Sequence, residues 1–181
     1  FSFDKVSLGG PVFDVDKLLW LNGVRIRAMK TPELARRLRE TLFSIERIEQ
    51  LVPLIRERMD GLGEFPEKTS YFTLHKLPVP VGDMVKGAKS RTPAELATLM
   101  KKCAQGLDGV KAFEAEALEA YLKAFCEEKD IKIRELFMAV RIAITGRKAT
   151  PPLFETMEVL GRAAVTQRLL AAADLLRQYR P

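Results

Sequence analysis

The stretch Arg141-Ile-Ala-Ile-Thr-Gly-Arg-Lys-Ala-Thr-Pro-Pro-Leu153 contains the end of one predicted helix and the start of the next. Apolar residues fill its first half, Gly146 is of the residue type that most often follows a helix, and Thr150 before two prolines is typical of a helix start. Backbone amides at a helix start have no intrahelical partner and attract anions. With Arg147 and Lys148 between the two helices, the stretch predicts a basic corner that binds an anionic ligand.

Helical periodicity continues on both sides of this corner. Apolar residues recur at helical spacing over 15–29, where we expect Trp20 to pack in the core, and again over 113–129. Thr92-Pro-Ala-Glu95 is a capping box with proline at the first helical position, and Thr31 is expected to cap another helix that begins with proline. The predicted helices cover residues 15–29, 31–43, 45–62, 66–74, 92–107, 113–129, 133–145, 152–160 and 162–179.

Residues 75–91 interrupt this pattern and form the predicted boundary between two domains. Two prolines and two glycines between 78 and 87 break the helical periodicity, and β-branched residues are too few for more than a short extended piece. We therefore predict an all-α fold with two stacked helical subdomains, residues 1–75 and 76–181, that together form an α-helical cage.

The composition is that of a folded protein with a basic surface. Of its 181 residues, 47% are hydrophobic and 30% are charged, and no apolar run approaches the roughly 18 residues that a membrane span needs. The net charge is +6, and residues 131–181 hold nine basic against four acidic side chains. Positive charge gathered at one end indicates an anionic partner such as a nucleic acid, although a solvated basic surface has the same composition.

Catalytic and metal-binding patterns are absent from the sequence. His75 is the only histidine, and Cys103 and Cys126 stand in unrelated contexts, so a catalytic triad, a zinc site and a disulfide framework are not indicated. Two reduced, partly buried thiols suit a cytosolic protein. Acidic pairs such as Glu114 and Glu116 are expected on an exposed helix face. The sequence therefore predicts a binding surface rather than an active site.

Three stretches of the chain carry recognisable motifs. The first is Val6-Ser-Leu-Gly-Gly-Pro-Val-Phe-Asp-Val-Asp-Lys-Leu-Leu-Trp-Leu-Asn22, the second is 51–65 with its Arg-Glu-Arg-Met, and the third is 136–161 with its Thr-Pro-Pro-Leu-Phe. In this order they resemble the bacterial glutamyl-tRNA synthetase family, and the resemblance covers essentially the whole chain, least clearly over 76–110. Because the chain starts without an initiator Met, we expect it to be cut from a longer protein.

The resemblance implies the C-terminal, anticodon-binding portion of a class I glutamate–tRNA ligase, which attaches glutamate to its tRNA using ATP and Mg²⁺. The family's nucleotide-binding Rossmann domain, with motifs like His-Ile-Gly-His and Lys-Met-Ser-Lys-Ser, would precede Phe1, and neither motif occurs here. We therefore expect no catalytic residue, metal or cofactor in this portion, and no activity from it alone. The implied protein is a cytoplasmic monomer whose partner is the anticodon loop of glutamate tRNA, without membrane contact.

Arg58 matches the position where family members specific for glutamate tRNA carry Arg and members of relaxed specificity tend to carry Gln. A glutamate anticodon ends in C, whose pairing edge offers O2 and N3 as acceptors to a guanidinium, whereas a glutamine anticodon ends in G, whose edge presents donors. Donors that face arginine stay unpaired, so Arg58 is expected to favour C. The alternative is a surface arginine paired with Glu57 or Asp60.

Three further positions match family residues at the anticodon. At Arg141 the resemblance implies a nucleotide contact. The alternative is that Arg141 lies at the edge of the core and its guanidinium reaches solvent. At Thr150 and Leu153 the resemblance implies contacts to unstacked bases. The alternatives are that Thr150 caps the next helix and that Leu153 belongs to the core. Arg147 and Lys148 are candidate phosphate contacts on charge and placement alone.

A second class of function is also compatible with the helical pattern. A non-enzymatic helical module that binds protein rather than RNA would have the same periodicity and the same lack of catalytic motifs. It would not explain three motifs in family order, nor the excess of basic residues over 131–181. Anticodon recognition is therefore the favoured hypothesis, and the interaction module is the alternative.

Overall fold

The computed structural model describes residues 15–74 and 76–180, and the regular structure in these ranges consists of α-helices and short 3₁₀ turns. The all-α prediction is therefore confirmed. No helix in these ranges is long and apolar enough to cross a membrane. The helices are α1 Val15–Ala28, α2 Thr31–Leu42, α3 Ile45–Ile55, α4 Phe65–Thr73, α5 Val81–Gly87, α6 Pro93–Gly106, α7 Ala115–Glu128, α8 Ile133–Thr145, α9 Leu153–Leu160 and α10 Arg162–Gln178.

Contacts along the chain divide it into two compact units, residues 1–44 and residues 45–181. The first unit contains α1 and α2, and the second contains the other helices of the described ranges. The sequence-based boundary at 75/76 lies inside the second unit. The division into subdomains 1–75 and 76–181 stays a prediction.

The first unit differs from expectation at two residues. Trp20 is 63% exposed, so the prediction that it packs in the core is wrong; α2, the other described helix of this unit, buries none of its residues. Thr31 is the first helical residue rather than the cap, because Lys30 occupies the cap position and no side chain caps the helix. Ion pairs one turn apart support α2 instead, including Arg37 Nε to Glu33 Oε1 at 2.7 Å.

The core of the second unit forms where α10 packs along α6, with α7, α8 and α9 around this pair. Burial of these apolar side chains supplies most of the free energy that holds the helices together. A smaller apolar cluster of Leu51, Tyr71 and Phe72 joins α3 to α4. The large core includes Met84, Leu96, Met100, Cys103, Leu107, Leu118, Leu122, Cys126, Leu136, Val140, Ile142, Ile144, Leu153, Met157, Val165, Leu169, Ala172 and Leu176.

The capping box predicted at the start of α6 is confirmed. Thr92 Oγ1 accepts a hydrogen bond from the Glu95 backbone amide at 3.3 Å, and Glu95 Oε2 accepts one from the Thr92 amide at 2.7 Å. This second bond stabilises the carboxylate and lowers the pKa of Glu95. Two amides that no helical carbonyl can reach are thereby paired.

Two helices differ from the sequence-based boundaries. The short helix α5 lies inside 75–91, where no helix is predicted from the sequence; Met84 of α5 is fully buried and α5 packs against α8. Seven residues are too few for a helix to be stable alone, so tertiary burial decides this one. Helix α3 ends at Ile55 rather than near 62 and passes into a 3₁₀ turn over Arg56–Arg58.

Candidate functional site

The corner between α8 and α9 is built on Gly146 and Thr145. Gly146 adopts the left-handed conformation with φ 71°, and its amide donates to the Ile142 carbonyl at 2.8 Å. The Thr145 hydroxyl donates to the Arg141 carbonyl at 2.6 Å and accepts from the Arg147 amide at 3.1 Å. These bonds end α8 where the sequence predicts, and a loop over 146–152 follows before α9 begins.

Arg141 crosses this loop from the side of α8. Its Nη1 donates to Thr150 Oγ1 at 2.6 Å and to the Pro151 carbonyl at 2.8 Å. Partial burial of the guanidinium, and then the charge of Arg58, lower the pKa of Arg141. Arg141 is therefore the side chain that holds the loop in place, and part of its hydrogen-bonding capacity is used within the protein.

Thr150 is only 8% exposed and does not cap α9, so that alternative is wrong. Helix α9 begins at Leu153 with Pro152 at the cap position and no capping side chain. The Thr150 hydroxyl accepts the hydrogen bond from Arg141 and can donate to the Pro151 carbonyl at 3.1 Å. Its role in the structure is to receive Arg141.

Arg147 fastens the same loop to α4. Its Nη2 donates to the Glu67 carbonyl at 2.9 Å and to Ser70 Oγ at 3.1 Å, and its guanidinium lies 5.6 Å from the centre of the Tyr71 ring. A cation over an aromatic face is attracted to the ring. The predicted phosphate contact of Arg147 would therefore use the donors that these bonds leave free, and it stays a prediction.

Arg58 ends the 3₁₀ turn after α3 and is exposed. In residues 15–74 and 76–180 it has no hydrogen-bond or ion-pair partner, whereas its neighbour Arg56 pairs with Glu57 at 3.1 Å. The alternative in which Arg58 pairs with Glu57 or Asp60 is not seen. All of its guanidinium donors are available to a ligand.

Arg58, Arg147 and Thr150 meet around one cavity of about 220 Å³, which we call the arginine pocket. Its volume is below the roughly 300–1,000 Å³ of sites that enclose a whole small molecule, so it suits one ring or one group of a larger ligand. The pocket brings Arg58, from the 3₁₀ turn after α3, to the α8–α9 corner. Its lining residues are Ile55, Arg58, Glu67, Lys68, Tyr71, Arg147, Ala149, Thr150 and Pro151.

Tyr71 is the residue of this pocket that sequence reasoning missed. It is 1% exposed, and its hydroxyl has no hydrogen-bond partner among the residues that the structure describes. Burial raises the pKa of Tyr71 to about 12, against the opposing charges of Arg147, Arg58 and Arg141. In the sequence it is one more aromatic residue of a short helical pattern, so no local signal distinguishes it.

Two predicted contact residues lie away from the arginine pocket. Leu153 is 4% exposed and belongs to the large core, which favours the core alternative for it. Lys148 points to α5, where its Nζ lies 2.9 Å from Asp83 Oδ1. Arg147 and Lys148 are therefore sequence neighbours that serve opposite sides of the loop.

Lys148 lines a second cavity of about 560 Å³ between α5 and α8, which we call the basic groove. Both carboxylates that line the groove have partners. Asp83 pairs with Lys148, and Glu135 accepts a hydrogen bond from the Ser90 hydroxyl at 2.5 Å. Its four other cations are exposed and have no ion-pair partner in the described part of the chain. These four are Lys86, Lys89, Lys132 and Arg134.

Comparison with known proteins gives a consistent result. Residues 33–173 match the protein family described as Anticodon binding domain. A glutamate–tRNA ligase of Thermus thermophilus is 37% identical over 177 residues, which cover 93% of this chain and 36% of that protein. One from Herpetosiphon aurantiacus is 31% identical over 188 residues, which cover 97% of this chain and 38% of that protein.

Solved structures show the same fold. A crystal structure of a glutamate tRNA ligase from Elizabethkingia meningosepticum aligns with a TM-score of 0.65 and 23% identity, over 97% of this chain and 35% of its own. The two sequence relatives confirm the expected resemblance to glutamate–tRNA ligases. The chain spans 36% to 38% of the length of the two relatives named above.

Proposed function

The chain belongs to the anticodon binding domain family, and on that premise we propose that it binds the anticodon loop of a glutamate tRNA within a glutamate–tRNA ligase. The whole ligase would attach glutamate to this tRNA, in the cytoplasm and as a monomer. The observation that carries the proposal is the arginine pocket, in which the unpaired Arg58 lies with Arg147 and Thr150 around a space for one group.

The arrangement suits an unstacked base. Proteins read single-stranded RNA by taking bases out of the loop and hydrogen-bonding their pairing edges. Arg58 offers donors to the O2 and N3 acceptors of cytosine, while the bonds of Arg141 to Thr150 and Pro151 hold the wall of the pocket still. A rigid wall reduces the entropy cost of ordering the site on binding. Arg58 would therefore read the base, and Arg141 would position the loop around it.

ATP and Mg²⁺ would serve the adenylate chemistry of a whole ligase. Within 15–74 and 76–180, no group of three or more His, Cys, Asp or Glu side chains could hold a metal ion. These residues therefore offer no such cluster to a Mg²⁺ ion. What the described residues can do is bind and orient RNA.

The helical protein-interaction module is not favoured. The family match covers residues 33–173, and the relatives named above are glutamate–tRNA ligases. The guanidinium of Arg58 and the four unpaired cations of the basic groove suit an anionic partner. Anionic RNA accounts for both features.

Binding of the chain to two RNA hairpins tests the proposal. The hairpins carry a glutamate and a glutamine anticodon loop and differ only in C or G at the third anticodon position. We expect several-fold tighter binding of the C hairpin, with affinity that falls as salt rises because phosphate contacts release counterions. Fluorescence anisotropy at 50 and 200 mM salt measures both effects. The absence of salt-sensitive binding to either hairpin would contradict RNA recognition.

The basic groove is expected to contact the RNA backbone, which gives a separate prediction. Replacing Lys86, Lys89, Lys132 and Arg134 together by alanine should weaken both hairpins equally and leave the preference for C unchanged. The slope of log affinity against log salt should fall by about 1 for each side chain that no longer reaches a phosphate. Alanine at Lys101 and Lys102, which are exposed on α6 and line neither cavity, is a control that removes two charges away from the groove and should lower the slope less per charge removed. An unchanged slope in the groove variant would show that the RNA does not reach the groove.

A further inference from the structure

The Tyr71 hydroxyl is a buried polar group without a partner. Tyr71 is 1% exposed, yet within the described ranges its Oη neither donates nor accepts a hydrogen bond. The great majority of buried polar side-chain atoms are paired, and an unpaired one destabilises the free protein. Packing alone does not explain such a group, and Tyr71 is one of the residues that line a cavity.

A second tyrosine of the chain shows the contrast. Tyr121 is less deeply buried than Tyr71, and its hydroxyl donates to the Cys103 carbonyl at 2.8 Å. The Tyr71 ring is equally well held, with the Phe72 ring centre at 4.5 Å and the Arg147 guanidinium at 5.6 Å. Only the hydroxyl is left unpaired: packing fixes the ring of a residue that lines the pocket, and the buried oxygen has no partner there.

The charges around this hydroxyl decide which kind of ligand it can take. Arg58, Arg141 and Arg147 carry donors only, so none of them can accept the hydroxyl proton. Glu67 lines the same pocket but forms no hydrogen bond with Tyr71 in the described part of the chain. The missing partner is therefore an acceptor, and the cationic surroundings favour one that carries negative charge or a strong dipole.

We propose that the Tyr71 hydroxyl donates a hydrogen bond to an acceptor atom of the nucleotide that occupies the arginine pocket, beside the contact from Arg58. This inference rests on the function proposed above. Cytosine presents two neighbouring acceptors, O2 and N3, and the pocket offers two kinds of donor, the Arg58 guanidinium and the Tyr71 hydroxyl. A phosphate oxygen of the same nucleotide has the same acceptor chemistry, and the experiment separates the two sources.

The test compares Tyr71→Phe with Tyr121→Phe, each measured for thermal stability and for binding to the C and G hairpins. Tyr71→Phe keeps the ring and removes an unpaired polar atom, so its Tm should stay equal or rise, while the C hairpin should bind about two- to tenfold more weakly. Tyr121→Phe removes an existing hydrogen bond away from the pocket. Its Tm should fall by a few degrees and its RNA affinity should be unchanged.

The binding of the two hairpins and the Tm distinguish a base acceptor, a backbone acceptor and the failure of the proposal. Weaker binding of the C hairpin alone assigns the acceptor to the base, and equal weakening of both hairpins assigns it to a backbone oxygen; either supports the proposal. Wild-type affinity for both hairpins in Tyr71→Phe overturns it while leaving the proposed function in place. A fall in Tm like that of Tyr121→Phe also overturns it, since the hydroxyl would then have a partner within the protein. If the wild-type chain binds neither hairpin, the proposed function fails and this inference fails with it.

Discussion

Arg58→Gln is expected to remove most of the preference for the C hairpin over the G hairpin. Arginine presents donors only, so the N1–H and N2–H₂ donors of guanine face donors, and burying them unpaired costs about 1–3 kcal/mol, or roughly 5- to 150-fold in affinity. Glutamine can turn either its carbonyl or its amide toward the base and pays no such cost with guanine. The ratio of the two affinities should therefore approach one, mainly because the variant binds the G hairpin more tightly than the wild-type chain does.

Arg56→Gln is the matched control for this substitution. Arg56 belongs to the same 3₁₀ turn and is exposed, but it pairs with Glu57 and does not line the arginine pocket. It should leave the ratio of affinities unchanged. Both variants should keep a Tm close to the wild type, because exposed side chains away from buried networks change stability by only about ±0.5 kcal/mol. An unchanged ratio in Arg58→Gln would place the discrimination on other residues.

Gly146→Ala is expected to lower the free energy of unfolding by about 2–4 kcal/mol. Gly146 has φ 71°, a region that costs an L-residue roughly 1–2 kcal/mol. A Cβ there would also lie 2.8 Å from the Pro78 carbonyl oxygen, which is backbone and cannot turn away. For a domain of this size the Tm should fall by about 4–16 °C. Thermal unfolding followed by circular dichroism measures the shift.

Two companion substitutions separate the causes of this effect. Gly109→Ala meets no atom within 4 Å and has no positive φ, so it should change the Tm little. Asparagine tolerates the left-handed conformation better than alanine does, but its Cβ meets the same carbonyl oxygen. The Tm of Gly146→Asn should therefore lie between those of Gly146→Ala and the wild type. If Gly146→Ala had the same Tm as Gly109→Ala, the loop would be able to move away from Pro78. In that event the α8–α9 corner would be less rigid than the bonds of Arg141 suggest.

Much of the helical pattern could be predicted because its causes are local. The capping box of Thr92 and Glu95 lies within four residues, and the end of α8 needs only an apolar helical run followed by Gly146. Residue type at short spacing sets these bonds, whatever the rest of the chain does. The length of α3 was less predictable, because its last turn tightens to 3₁₀ at Arg56–Arg58. The resemblance added Arg58, Arg141 and Thr150 as candidate contacts, and their contact with RNA stays a prediction.

The sequence by itself therefore determined the all-α class, most helix positions and the basic corner at 146–152. Only the tertiary structure decided which side chains share a pocket, because those contacts join residues far apart in the chain. Arg147 bonds to the Glu67 carbonyl 80 positions away, and this bond sets the corner beside Tyr71. The same kind of distant packing buried Met84 and made α5 a helix. Periodicity reports which face of a helix is apolar; it carries no information about which distant polar atom will be left without a partner.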